Sequence, residues 1–264
     1  LRELLTLSRE LGFVVSDHCE VPGLSCKAPL HMGRVARELG TAGQPVSAET
    51  VQLAMGIELA RETGGTYHAQ HLSSARAVAM VRKAQAEGVR VTCEVTAHHL
   101  FFTHEAARQH GPNAKCAPPL REESDRQALL AGCMDGTIGA IVTDHAPHTP
   151  AEKSLGLESA PFGVIGLETA LAALTTLASR GELSLERALT LLTSAPASLF
   201  GLSGAGTLTV GARANITLAD PHRSWRVEAP FNSRAENSPF LGERLTGQVL
   251  ATFMDGSLVF TSRL

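Results

Sequence analysis

The chain contains no C-x-x-C pair, no H-x-H pair, no G-x-G-x-x-G or P-loop pattern, and no apolar run approaching ~18 residues. Each absence closes off a class of protein. Cysteine is sparse, odd in number and scattered (Cys19, Cys26, Cys93, Cys116, Cys133), which argues against a disulfide framework or a cysteine-paired zinc site. Reduced thiols in a cytoplasmic protein are the expectation. With no glycine-rich turn after any predicted strand, nucleotide binding is disfavoured. Lysine and arginine never cluster, and 23 basic against 26 acidic side chains leave a net charge of only −3. Nothing points to nucleic acid or to an anionic membrane, and no signal-peptide pattern opens the chain. Aromatics are also few, with one Trp and one Tyr.

What is present is histidine, eleven of them, in a chain of 264 residues that is 44% hydrophobic. That length suits one large domain, or a large one with a small one attached. The opening LRELLTLSRELG reads as a helix, with Leu1, Leu4, Leu5 and Leu11 near helical spacing and Gly12 as its stop. A chain that starts inside a helix is expected to be the C-terminal part of something longer. Strand-like runs at 12–20, 66–73, 90–100 and 137–148 alternate with helical patterns at 48–64, 74–88 and 122–134. Two further helices are predicted from the stripes Leu167, Leu171, Leu174, Ala178 and Leu185, Ala188, Leu189, Leu192. Alternation of this kind means α/β architecture with parallel strands, either a (β/α) barrel or an open doubly wound sheet. After Gly204 the texture changes to alternation with Asp-Gly and Gly-Ala turns. Residues 1–204 therefore read as the α/β part and 205–264 as a small β-rich module, with a loop over 232–240.

Four predicted strands end in polar clusters: Asp17 to Glu20, His68 to His71, His98-His99, and Asp144 to His148. In parallel α/β folds the C-terminal strand ends carry the chemistry. Strand parity puts His18 and Glu20 on one face and Asp17 and Cys19 on the other, and it separates Asp144 from His145. His68 and His71 also oppose each other, so only one can enter a shared site. Two histidines and one aspartate form a ligand set for Zn²⁺, or for Mn²⁺, Fe²⁺ or Co²⁺, and an aspartate there can also move a proton. A single strand-end histidine is more often a hydrogen-bonded structural residue, so the weight falls on the coincidence of four. His98 and His99 are read as supporting or packing residues. His31, His104, His110 and His222 are read as surface residues, and Cys19 and Cys93 as buried packing.

The segments HCE (18–20), HAQHLS (68–73), EVTAHHL (94–100), KCAPPLR (115–121), TDHAPHTPAEK (143–153) and APFGVIGLETAL (160–171) resemble class I dihydroorotases of the amidohydrolase superfamily. GTLTVGARANITLAD and SRAENSPF also fit, so the resemblance spans essentially the whole chain. It implies the family's (β/α)₈ TIM-type barrel, of which about the last four β/α units are here, plus part of a small β-sandwich. It implies His18, His71 and Asp144 as metal ligands, with Asp144 also the catalytic acid/base. His148, Phe162 and Gly163 would contact substrate. The implied cofactor is one or two Zn²⁺ or another divalent metal. The implied reaction is the reversible cyclisation of N-carbamoyl-L-aspartate to dihydroorotate in pyrimidine synthesis.

Two departures stand out. The family's first-strand H-x-H, its fourth-strand bridging ligand and its substrate-binding arginine are absent, so the fragment alone is expected to be inactive. Ala117 stands where the family has a substrate-contacting asparagine. A hydantoinase or allantoinase is the alternative within the same chemistry. A non-catalytic scaffold for aspartate carbamoyltransferase is the alternative outside it. Expected partners are a small-molecule substrate, with homo-oligomers or aspartate carbamoyltransferase admitted.

Overall fold

The computed structural model describes residues 1–262, so the last two positions of the expected 205–264 module lie outside the described residues. The strands among them are β1 (Val14–Asp17), β2 (Leu30–His31), β3 (Gly43–Gln44), β4 (Thr66–Ala69), β5 (Val91–Thr96), β6 (Ala140–Val142), β7 (Ile216–Arg226), β8 (Arg244–Met254) and β9 (Ser257–Thr261). One sheet has the order β1-β4-β5-β6, and every pairing in it is parallel. β2 and β3 form a separate two-residue parallel pair, and β7-β8-β9 an antiparallel sheet. The parallel α/β reading and the C-terminal β-rich reading are both borne out.

The helices between the parallel strands stop where their glycines allow it. The helix Arg2–Leu11 ends on Gly12 at φ 76°, and Ser47–Thr63 ends on Gly64 at φ 71°, both left-handed. Ala75–Ala86 starts under Ser74, whose side chain accepts the Ala77 N–H. Together these helices press Leu5, Leu53, Val78 and Val81 onto Tyr67, Cys93 and Val95 of the sheet. Each fully buried aliphatic side chain contributes roughly 1.5–3 kcal/mol, which makes this layer the main stabiliser of the strand ends.

Several predicted elements move. The strands are shorter than their apolar runs, so His18, Cys19, Glu20 and His71 lie beyond β1 and β4. The run 90–100 is not one strand, because Thr96 caps a new helix, Ala97–Phe101, and His98 and His99 sit on it. Leu167 is outside the helix Ala170–Ser179 and 65% exposed; the inward stripe there is Ala170, Ala173, Leu174 and Leu177. Leu189 is likewise exposed, and Ala188 and Leu191 face inward from Leu185–Leu192. In the first helix Leu5 is buried, whereas Leu4 and Leu11 face out.

The C-terminal sheet is tied to the helix Ala170–Ser179. The Thr246 N–H of β8 donates to Thr176 Oγ1 at 2.8 Å, and Thr175 Oγ1 donates to the Thr246 carbonyl. The approach is so close that a Cβ on Gly247, at φ 103°, would stand 2.0 Å from Thr175 Oγ1.

Candidate active site

His18 leaves the end of β1 and His71 the end of β4. His18 Nδ1 lies 3.0 Å from His71 Nε2, with the rings edge to face. His18 Nε2 is 3.0 Å from Glu20 Oε2. A carboxylate there holds the proton on Nε2 and leaves the Nδ1 lone pair aimed at His71, the arrangement that orients ligating histidines. Two nitrogens about 2.0–2.1 Å from one tetrahedral ion stand about 3.3 Å apart, so this pair fits a shared cation closely. Burial works against charge on Glu20, but Ser25 and His18 more than offset it and hold its pKa below the usual range. Burial, then the neighbouring His18, pushes the His71 pKa down, against the raising influence of Asp144 and Glu94.

Parity beyond β1 is realised in the contacts. His18 and Glu20 bond to each other, while Asp17 and Cys19 both reach the Tyr67 hydroxyl, at 2.8 and 3.2 Å. His68 turns from His71 to Thr92 Oγ1 at 2.8 Å, with its Nε2 3.1 Å from Glu94.

Asp144 follows β6 and is exposed. Both His71 and Asp144 adopt positive φ, 31° and 43°, which costs a non-glycine residue about 1–3 kcal/mol and is typical of functional sites. The Asp144 carboxylate stands wider than the histidine pair. Among the described residues, the groups of three that bring ligand atoms within 4.8 Å of one another are His98, His99, Cys116 and His31, His104, Glu122. His145, as parity requires, points elsewhere: its Nδ1 accepts the Gly166 and Leu167 N–H groups.

His148, Phe162 and Gly163 come together beside this site. His148 Nε2 donates to the Phe162 carbonyl at 2.8 Å. The Asn237 amide ties both segments, donating to the Ala146 and Gly163 carbonyls and accepting from His148 N–H. Gly163 must be glycine, since at φ 127° a Cβ would lie 2.5 Å from Ala146 Cβ. The end of the TDHAPHTPAEK motif is scaffolding. Glu152 closes a capping box with Thr149, and Lys153 Nζ donates to the carbonyls of Pro112, Pro161 and Gly163. Lys115 Nζ does the same for Leu157, Glu158 and Ala160. A cavity of about 370 Å³ opens between these parts, lined by Glu20, Lys27, Gln44, Ala117 and Phe162 among others.

Sequence reasoning missed Lys27, Lys115, Lys153 and Asn237. Lys115, Lys153 and Asn237 lay in motifs that could have flagged them; Lys27 did not. It also misplaced two histidines. His31 and His104 are buried, not surface residues, whereas His222 is exposed. His31 Nδ1 accepts from Arg121 at 3.1 Å, and Arg121 also donates to Ser73 Oγ at 2.7 Å. Glu49 closes that buried network by accepting from Ser73 and Ser74.

The pattern of the amidohydrolase family matches residues 33–259. The chain belongs to the amidohydrolase family. It is 42% identical over 254 residues to the dihydroorotase of Pediococcus pentosaceus, covering 96% of this chain and 60% of that protein. It is 43% identical over 266 residues to the dihydroorotase of Pelotomaculum thermopropionicum, covering 100% and 62%. Among solved structures it is similar to the L-hydantoinase of Arthrobacter aurescens, with a TM-score of 0.88 and 29% identity over 98% of this chain and 60% of that one. The chain thus spans 60–62% of the length of these curated relatives. The amidohydrolase family is metal-dependent, and the donor set here suits a cation. No helix among the described residues is long and apolar enough to cross a membrane.

Proposed function

We propose that the protein is a metal-dependent cyclic amidohydrolase acting as a dihydroorotase, with His18, His71 and Asp144 as ligands to one or two divalent cations, zinc foremost. The observation that carries this is the convergence of His18 Nδ1 and His71 Nε2 at 3.0 Å with Glu20 behind His18. The identity to dihydroorotases across the whole chain supports the choice of ring. Residues 1–204 would form the catalytic part and 205–264 the small β-rich part. Within this reading the protein works in the cytoplasm, and self-association or docking to aspartate carbamoyltransferase are the partnerships it admits.

A cation held there would supply Lewis acidity to the ring carbonyl and acidify the attacking water toward neutrality. Asp144 takes the water's proton and returns it to the ring nitrogen as the C–N bond breaks; in ring closure it takes that proton back. His148, through its bond to the Phe162 carbonyl, fixes the backbone at Phe162 and Gly163 against the ring. Lys27 in the cavity lining suits a substrate bearing carboxylates.

Asp144→Asn, in protein expressed from the complete open reading frame, should lower turnover of dihydroorotate by ~10²–10⁴-fold or more. Turnover near that of the unmutated protein would sink the proposal. A hydantoinase is the second reading, favoured by Ala117 leaving the cavity wall open where a larger polar side chain would reach in. Steady-state rates on dihydroorotate, hydantoin and allantoin separate the two, and a preference for either of the latter overturns the dihydroorotase assignment.

A further inference from the structure

Beside the His18–His71 pair lies a second group of side chains of metal-ligating type, near enough for the His71 charge to act on both of its imidazoles and the Asp144 charge on its thiol. His98 and His99 come from the helix Ala97–Phe101, and Cys116 from the segment leading into Pro118. All three are buried, and their ligand atoms lie within 4.8 Å of one another. His98 Nε2 is buried with no hydrogen-bond partner, an unfavourable state for an imidazole nitrogen unless something else occupies its lone pair or proton. His99 Nε2 lies 3.0 Å from the Pro118 carbonyl, which can only accept. The proton therefore sits on Nε2 and Nδ1 accepts from the Thr96 hydroxyl at 2.7 Å, so a cation bound through Nδ1 must displace Thr96 Oγ1, which also caps the helix by accepting the His99 N–H at 3.1 Å. An imidazole N–H on a backbone carbonyl is how ligating histidines are commonly oriented.

We propose that His98, His99 and Cys116 bind one thiophilic d¹⁰ cation of the Zn²⁺, Cd²⁺ or Cu⁺ class. The set has two imidazoles, one thiol and no carboxylate, which selects soft and borderline cations over Mg²⁺ or Ca²⁺. Burial keeps both imidazoles neutral, His99 with its pKa pushed down to about 3 and His98 well below its usual value, so neither needs to lose a proton to bind. Burial also pushes the Cys116 thiol up to about 12. Binding must then release that one proton as the S–H bond is exchanged for an S–metal bond, and affinity should rise with pH. The other histidine cluster does not carry the same inference. Arg121 donates directly to His31 Nδ1 at 3.1 Å, which occupies that lone pair and leaves the proton on Nε2, whereas on His99 and Cys116 the same guanidinium acts only through space. Occupancy at Cys116 would pin the helix Ala97–Phe101 to the segment carrying Ala117 and Arg121.

The test is a cadmium titration of protein expressed from the complete open reading frame, with the exposed Cys26 first replaced (Cys26→Ser). The readout is the ultraviolet charge-transfer absorption of a thiolate–cadmium bond. One equivalent is expected to give the signal, and Cys93→Ala to retain it. Cys116→Ala and Cys116→Ser should abolish it, the serine variant serving if alanine misfolds, and His98→Gln should weaken binding by more than ~10-fold. Retention in His71→Asn shows that the signal does not arise at the proposed catalytic pair, so loss of dihydroorotase activity and loss of this site are read separately. Absence of the signal in the Cys26→Ser protein, its persistence without Cys116, or its loss in His71→Asn would each overturn the proposal.

Discussion

Burying an ammonium without a carboxylate partner is unfavourable, and this chain does it twice. Lys115 and Lys153 are 1% and 6% exposed and bond only to backbone carbonyls, three each. Those carbonyls belong mostly to residues 157–163, which have little regular structure of their own, so the two lysines substitute for a sheet or helix in satisfying them. Burial, with Lys115 nearby, pushes the Lys153 pKa down from 10.5 to about 8. Between those values the unfolded chain binds more protons than the folded one, so this residue makes stability rise with pH across the window from about 8 to 10.5. Cys19, Cys116 and Cys133, pushed up to about 12 by burial, pull the other way above pH 9. The lysine contribution is therefore a difference. Urea denaturation from pH 7 to pH 10 should show the stability of the unmutated protein minus that of Lys153→Met, taken with its sign, increasing as pH rises. A signed difference that stays constant or falls would contradict the buried-ammonium account.

At the scale of elements, one glycine decides how a helix meets the sheet. Gly56 lies mid-way along Ser47–Thr63, where propensity alone favours alanine by about 1 kcal/mol. A Cβ there would stand 2.1 Å from Tyr67 Cζ, and the Tyr67 hydroxyl is fixed by its bond to Asp17. The ring cannot step aside without losing that bond. Gly56→Ala should thus destabilise by about 1–2 kcal/mol net, measured by denaturant titration; a stabilised variant would show that the helix slides freely on β4. This contrast marks what the chain discloses by itself. The helix stop at Gly12 was legible because left-handed backbone is a local demand, and the shared faces of His18 with Glu20 and of Asp17 with Cys19 followed from strand parity. The helix bearing His98 and His99 was hidden because Thr96 continues a β-branched run while acting as a cap. The phase of Leu167 was misread because its helix starts three residues later. Burial of His31, His104 and Lys115 depends on groups distant in sequence, and that of Lys153 on carbonyls 8, 10 and 41 residues away, and no local pattern encodes that. The positive φ of His71 and Asp144 was equally invisible.

At the scale of the whole molecule, the parallel sheet has two edges, β1 and β6, with no further strand on either among the described residues. Parallel sheets are stable when both faces and both edges are covered, and an unpaired edge is a template for association. Apolar side chains add to the problem: Leu4, Leu11, Val51, Leu208 and Leu258 are each half exposed or more. Against this stands a buried lattice of charge, in which Glu49 accepts from Ser73 and Ser74 while Arg121 reaches Ser73 and His31. That lattice specifies one packing of the segment around Leu120 onto the helix Ser47–Thr63 but does nothing for the edges. The 264 residues expressed alone should accordingly associate or aggregate, and zinc at His18, His71 and Asp144, as distinct from zinc at His98, His99 and Cys116, should be weak, because the first three do not bring their ligand atoms within 4.8 Å of one another. Size-exclusion chromatography with a thermal melt and a zinc assay reads both. A monomer with a sharp cooperative transition would mean that the edges are protected by something other than strand pairing. Tight binding of zinc that survives Cys116→Ser but is lost in His71→Asn would mean that these three ligands suffice.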